Sequence, residues 1–461
     1  AYEISAYWSS DVCSSDLKIL MSSITTSSIL RKKIMDMGKK NGLTQPCFEK
    51  MLDYTIDIFE SNGLGTAYYG YHNIDHELEV TLGTLLVCGG EESIPELSKD
   101  DLKYLYVSAL FHDFDPEKSV DKPHEENVLK SISLDPTIKD LIIKAGIDFE
   151  IIKVLILRTV YPWEGDLRER AEKEIEKCFQ ISEITKDNPE KQKHYLWLGW
   201  LLSIIDRVTG YALGDFSKAL HLAKMNSHAS AWNPALMIKR SVMYFEGLIG
   251  GESNMCEMVL RCLPKHMRKN FMQNVQEFMK LRQKEIQIQS DFLYDNLKLV
   301  SKIESMPIRK DKTFVDTLHS IYLELPRPLR LEEKDFGESI NDSDVLLNTV
   351  RLGNTGGPII GFAKGGPLEN YKFRVEVRDE NQGKRNTMFL EPIALKMGYW
   401  GLGGGHMMRQ LFLMQAHTMK YEFLTSFALR DVIEKRTKSF ERAEFVTKFD
   451  PERWDYYRIK L

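Results

Sequence analysis

Tyr71-His72-Asn73-Ile74-Asp75-His76, read with Phe111-His112-Asp113, decides how the N-terminal half of the chain folds. His72 and His76 stand four apart, so on a helix they share one face. Leu102–Phe111 is largely apolar and delivers His112-Asp113 at its end, and the apolar run Leu196–Ile205 ends in Asp206. Histidines and carboxylates carried by separate helices converge on one divalent cation and leave positions for water. The plainer reading makes the histidines core hydrogen-bonders and gives Asp206 to the neighbouring Arg207. A histidine pair, a His-Asp pair and a distal Asp on an all-helical background together favour the metal.

These residues resemble the HD superfamily of metal-dependent phosphohydrolases, and Tyr-His-Asn-x-x-His is closest to its cyclic-nucleotide phosphodiesterase branch. The resemblance covers roughly residues 46–303. It implies His76, His112, Asp113 and Asp206 as ligands of a divalent ion (Zn, Mg, Mn or Fe) and His72 as the acid for the leaving oxygen. His124 and Asn127 are similar to a further His and Asn of the family, at a different spacing, with Pro116–Pro123 as an insertion; His124 would add a metal ligand. Asp115 reads as an exposed turn residue before Pro116, and His221 and His228 as members of a solvated helix and its end.

The chain has 461 residues, too many for one ordinary core, so two or more domains are expected. A formal net charge of -5 and a pI near 6.2 give no electrostatic pull towards nucleic acid or an anionic membrane. Six scattered cysteines without a CxxC pair suit reduced thiols in a cytoplasm. No apolar run approaches the ~20 residues of a bilayer span. Trp8–Leu17 (WSSDVCSSDL) looks like a translated sequencing adapter, so residues 1–20 stay outside the fold reading.

Residues 21–304 read as an all-helical domain, with helical periodicity continuing to Ile303 and no strand before about residue 305. From 305 to 461 the chain reads as α+β. Pro358–Ala363, Tyr371–Arg378 and Asn386–Leu395 are predicted strands, and Pro392 in the third cannot donate to a ladder, so a bulge or splay is expected there. Gly401-Leu402-Gly403-Gly404-Gly405 then leads into a helix over His406–Lys420. Strand, glycine loop and helix in that order make an anion site from backbone N–H groups and the positive helix end.

That order, with Arg436–Phe445 (RTKSFERAEF) and a last strand over Trp454–Leu461, resembles the GNAT acyltransferase family across about residues 307–461. The resemblance implies acetyl-CoA held by Leu402, Gly403, Gly404 and Gly405, and Glu391 on the bulged strand as base for an acceptor amine. The loop has Gly398, Tyr399 and Trp400 where the family has a Gln or Arg. Phe440 stands for its tyrosine acid and Glu444 for a glycine. The expectation is therefore a metal-dependent hydrolase of a small phosphoester joined to an acetyl-CoA-binding, amine-acylating domain. The alternative keeps the second domain as a non-catalytic acetyl-CoA sensor.

Overall fold

The computed structural model describes residues 26–66, 68–90, 94, 97–115, 125–230, 233–295, 297–331, 336–373, 377–438, 443–448 and 454–461. The adapter-like stretch, His124 and Phe440 lie outside them. The chain divides into two compact units, one of Ala1–Tyr68, Asn73–Pro116 and Val128–Thr209, the other of Tyr69–His72, Glu117–Asn127 and Gly210–Leu461.

The first unit is built from helices: α1 (Thr26–Lys40), α2 (Pro46–Ser61), α3 (Ile74–Cys88), α4 (Lys99–Phe111), α5 (Glu125–Leu134), α6 (Pro136–Lys144), α7 (Phe149–Leu157), α8 (Gly165–Ile181) and α9 (Pro189–Ala212). The helix starts follow from local chemistry. The Asn73 side chain accepts from the His76 amide and caps α3, while Ser98 and Asp101 form a reciprocal capping box on α4. Leu78 and Leu85 of α3, Leu105 and Leu110 of α4, and Leu198, Leu201 and Ile205 of α9 are fully buried. A side chain at Gly83 of α3 would put its first carbon 2.2 Å from Thr209 of α9, so glycine there permits the close crossing of these two helices.

The second unit begins with α10 (Phe216–Ala229), α11 (Met237–Glu246), α12 (Ser253–Cys262) and α13 (Lys265–Tyr294). Then follow β1 (Leu299–Ile303), α14 (Met306–Arg309), α15 (Lys312–Tyr322), α16 (Phe336–Asn341), β2 (Leu346–Leu352), β3 (Ile359–Pro367), β4 (Thr387–Leu390) and β5 (Ala394–Leu395). The chain closes with α17 (Gly404–Thr418), β6 (Phe423–Leu429), α18 (Arg430–Lys438), β7 (Ala443–Lys448) and β8 (Trp454–Lys460). The sheet order is β1-β2-β3-β4-β6-β8-β7, with β5 on β3. Every pairing is antiparallel except β4 with β6.

Three local expectations are corrected. The helix predicted to Ile303 stops at Tyr294, and Leu299–Ile303 is a strand because it pairs with Leu346–Leu352. Five residues carry too little periodicity to separate helix from strand, so the partner decides. Tyr371–Arg378 is not a strand at its described ends. Its alternation places Phe373 against the rings of Phe389, Phe427 and Tyr456 in the core. Strands β2 and β6 were not expected, because β2 buries Asn348, Thr349 and Arg351 and so lacks a clean apolar alternation.

Candidate functional site

In the first unit, α3 supplies His76, the end of α4 supplies His112 and Asp113, and α9 supplies Asp206. His76 Nε2 lies 3.1 Å from Asp113 Oδ2 and 3.2 Å from Asp206 Oδ1. His112 Nε2 lies 3.2 Å from Asp113 Oδ2 and 3.7 Å from Asp206 Oδ1. One ligand atom each from His76, His112 and Asp206 fall within 4.8 Å of one another, as do atoms from Glu77, His112 and Asp113. His76 and His112 are 4 % and 1 % exposed. Residues far apart in sequence are thus brought to one buried point.

These four groups shift one another's protonation strongly. Burial works against charge on His76, yet Asp113 and Asp206 outweigh it and hold the imidazole up at about 9. His112 is raised well above the ordinary value, again against burial, by Asp113 and Glu77. Burial works against charge on Asp206 as well, but His112 and His76 pull its carboxyl below the usual range. His112 Nε2 and Asp206 Oδ1 are buried and face only the imidazoles and carboxylates of this group. Two imidazoles and two carboxylates turned to one point fit a divalent ion.

Glu77 escaped the sequence reading. Its fully buried carboxylate stands 2.9 Å from His112 Nδ1, leaving Nε2 for the shared point. A signal was present: a glutamate beside His76 on a helix otherwise packed in apolar surroundings. Arg207 donates to the Ser203 carbonyl at 3.0 Å and covers the Tyr161 ring. Asp115 is 1 % exposed, not an open turn residue, and neither of its oxygens has a hydrogen-bond partner. His72 groups with the second unit, its ring 5.1 Å from that of Tyr71.

In the second unit the parallel pair β4/β6 is in register from Thr387 with Phe423 to Leu390 with Ser426. Beyond Leu390 the chain leaves β6. Glu391-Pro392-Ile393 lies outside any strand, and Ala394–Leu395 pairs with β3 instead, while β6 continues along β8. Pro392 has no N–H for the ladder, so the break falls where the sequence expects one. The two paths diverge, and Pro392, Ile393, Phe427 and Leu429 line a cavity of about 570 Å³.

The same cavity is lined by Gly401, Gly403, Gly404 and Gly405. Gly403 precedes α17 with φ of 87°, a left-handed conformation natural to glycine. The amides of the first turn of α17 lack helical acceptors and carry the positive end of the helix. Leu402 sits in this loop, half-buried. Glu391 is not among the residues lining the cavity. Its carboxylate is 2 % exposed, 2.6 Å from Lys364 Nζ, and accepts from the Tyr371 hydroxyl at 2.9 Å.

No family model and no curated protein matches the chain. Solved acetyltransferases are similar to it over about a third of its length. A putative acetyltransferase from Acinetobacter baylyi shares 11% identity at a TM-score of 0.26, over 36% of this chain and 93% of that one. NAA60 from Arabidopsis thaliana in complex with acetyl-CoA shares 10% at 0.27, over 36% and 98%. An N-acetyltransferase from Staphylococcus aureus shares 14% at 0.26, over 36% and 98%. Such scores carry no argument about chemistry, which has to come from the site's own atoms. The chain is mostly helical, with an α+β region built on an eight-stranded sheet. Among the described residues no helix is long and apolar enough to cross a membrane.

Proposed function

We propose that the second unit binds acetyl-CoA and passes its acetyl group to an amine. The observation that carries this reading is one cavity lined both by the parting of β4 from β6 and by a glycine loop that opens a helix. Backbone amides at Leu402–Gly405 suit a pyrophosphate, because fixed N–H groups and the helix end favour an anion without needing a charged side chain. The backbone at Pro392–Ile393, which has left β6 and lines the cavity, suits the amide-bearing arm of the cofactor. Transfer then asks chiefly for alignment of amine and thioester. Glu391, which the family resemblance made a base, serves in this reading as the buried partner of Lys364. Calorimetry with acetyl-CoA, followed by free-thiol release with a panel of amines, tests the proposal. Binding without thiol release on any amine replaces transfer by sensing.

A second reading concerns the first unit, and the meeting of His76, His112, Asp113 and Asp206 favours it. These four hold a divalent ion, His124 is a candidate further ligand, and the substrate is a small phosphoester. A bound ion supplies Lewis acidity and neutralises charge on phosphate oxygens. The protein's own share is to hold the His112 imidazole in the ligating tautomer, its Nδ1 facing the Ala109 carbonyl at 3.1 Å and the Glu77 carboxylate at 2.9 Å. Elemental analysis of purified protein with a phosphate-release screen over mono- and diesters tests it. Absence of stoichiometric metal after loading ends this reading.

A further inference from the structure

The acetyl-CoA reading leaves one wall of the cavity unexplained. That wall is built by chain far ahead of the glycine loop: Lys224, Ser227 and His228 of α10, the turn Asn233–Met237, and Tyr69. His228, read from sequence as the end of a solvated helix, is 6 % exposed. Its ring stacks on Trp454 with centroids 4.4 Å apart and lies 6.0 Å from the ring of Tyr69, which is 5.8 Å from Trp454. Leu325, Pro326, Leu329 and Phe427 add apolar surface beside these rings.

We propose that this wall is the acceptor subsite, that it takes a compact amine with an apolar body, and that His228 receives the proton the amine gives up. The inference rests on the acetyl-CoA reading and extends it. A cavity of about 570 Å³ is the size that holds one drug-sized ligand. Shared with the acyl end of the cofactor, it leaves room for a small acceptor and none for a folded peptide. Rings and aliphatic walls favour an apolar body over a polyamine, whose further ammonium groups would lose their water without partners.

The other ionisable groups on the cavity suit the role less well. Burial pushes the Tyr69 phenol up, so it keeps its proton. Lys224 donates to the Glu324 carbonyl at 2.9 Å, and the Glu324 carboxylate accepts from the Met397 amide at 2.6 Å. His406 is exposed and belongs to the first turn of α17, on the glycine-loop side. An imidazole is the side chain best matched to proton transfer near neutrality. In the step, the amine nitrogen bonds to the acyl carbon and the carbon–sulfur bond breaks with its electron pair going to sulfur. His228 takes the proton from nitrogen and releases it to solvent, and the thiolate is protonated from solvent.

The test uses the full chain with acetyl-CoA and reads thiol release on benzylamine, tryptamine, spermidine and a short peptide. The expected result is kcat/KM at least tenfold higher for the two apolar amines. His228→Ala should lower kcat at least a hundredfold, leave the calorimetric Kd for acetyl-CoA within twofold, and recover rate when imidazole is added. His228→Gln, which fills more of the ring's place, should show the loss without the rescue, and it decides the matter if His228→Ala fails to fold. Preference for spermidine or the peptide overturns the acceptor class, and an unimpaired folded His228→Gln overturns the proton role. If the wild type neither binds acetyl-CoA nor releases thiol, the acetyl-CoA reading itself has failed; binding without thiol release on any amine overturns transfer and the acceptor subsite with it, and leaves cofactor binding standing.

Discussion

The two candidate sites are built from opposite materials. The first unit assembles its site from buried side chains that carry charge: two imidazoles and two carboxylates on three helices, each within about hydrogen-bond reach of another. The second assembles its site from backbone and apolar walls, with a glycine loop at a helix start and a strand that leaves its partner. In the first, chemistry resides in residue identity. In the second, it resides in φ/ψ and in which strand pairs with which. The sites should therefore fail differently under substitution, and that difference is measurable.

Removing one imidazole should have the largest effect. His112→Ala deletes a ligand and leaves Asp113, Asp206 and Glu77 facing one another without it. Metal content measured after loading should fall from about one equivalent to below about a tenth, with a loss of ~10³-fold or more in any phosphate release. Retained metal would remove His112 from the ligand set. In the second unit the matching experiment is Glu391→Ala, which strands the buried Lys364 ammonium. The fold should lose about 3–5 kcal/mol, read as a drop in Tm, since one partner of a buried pair is gone. A variant of unchanged Tm that has lost only thiol release would return Glu391 to the role of base.

The difference between the sites also explains what the sequence let one see. His76, His112, Asp113 and Asp206 were legible because ligand chemistry is a property of the side chain and helical spacing predicts which face carries it. The break at Pro392 was legible for a similar reason, since a missing N–H is a fact of composition. Tertiary pairing was not. The strand Leu299–Ile303 exists because Leu346–Leu352 lies beside it, and His228 is buried because Trp454 covers it. Asp115 is a carboxylate whose meaning depends on burial, and no local pattern around it reports that; for Glu77 the one hint is its place beside His76 on a largely apolar helix.

Acidity sharpens the comparison further. In the metal-free first unit, His76 keeps its proton up to about 9 because Asp113 and Asp206 favour the charged ring. A folded value above the unfolded one, near 6.5, means that this contribution to stability is complete below about pH 6.5. It disappears as pH rises through about 9. Metal must displace the same proton, and the one His112 holds as well, so affinity should climb at least tenfold per unit of pH from 6.5 to 9. Acetyl-CoA held by backbone amides should show no such slope over that range. A flat metal affinity would remove His76 from the ligand set.

The smallest expected effects separate support from contact. Glu77→Gln keeps a carbonyl to accept from His112 Nδ1 but discards the charge that favours an inward Nε2 lone pair. Outer partners of this kind are worth about 10–100-fold in metal affinity, so the metal should bind more weakly yet still bind. Gly403→Ala is the counterpart. Nothing lies within 4 Å of where its side chain would start, so the cost is purely the left-handed φ of 87°. That cost is about 1–2 kcal/mol, borne by the loop whose amides face the ligand. Affinity for acetyl-CoA should fall by roughly tenfold, with the metal content of the first unit unmoved. Were the loss of that charge in the first unit tolerated and an added methyl group in the second also tolerated, neither site would be made of the material assigned to it.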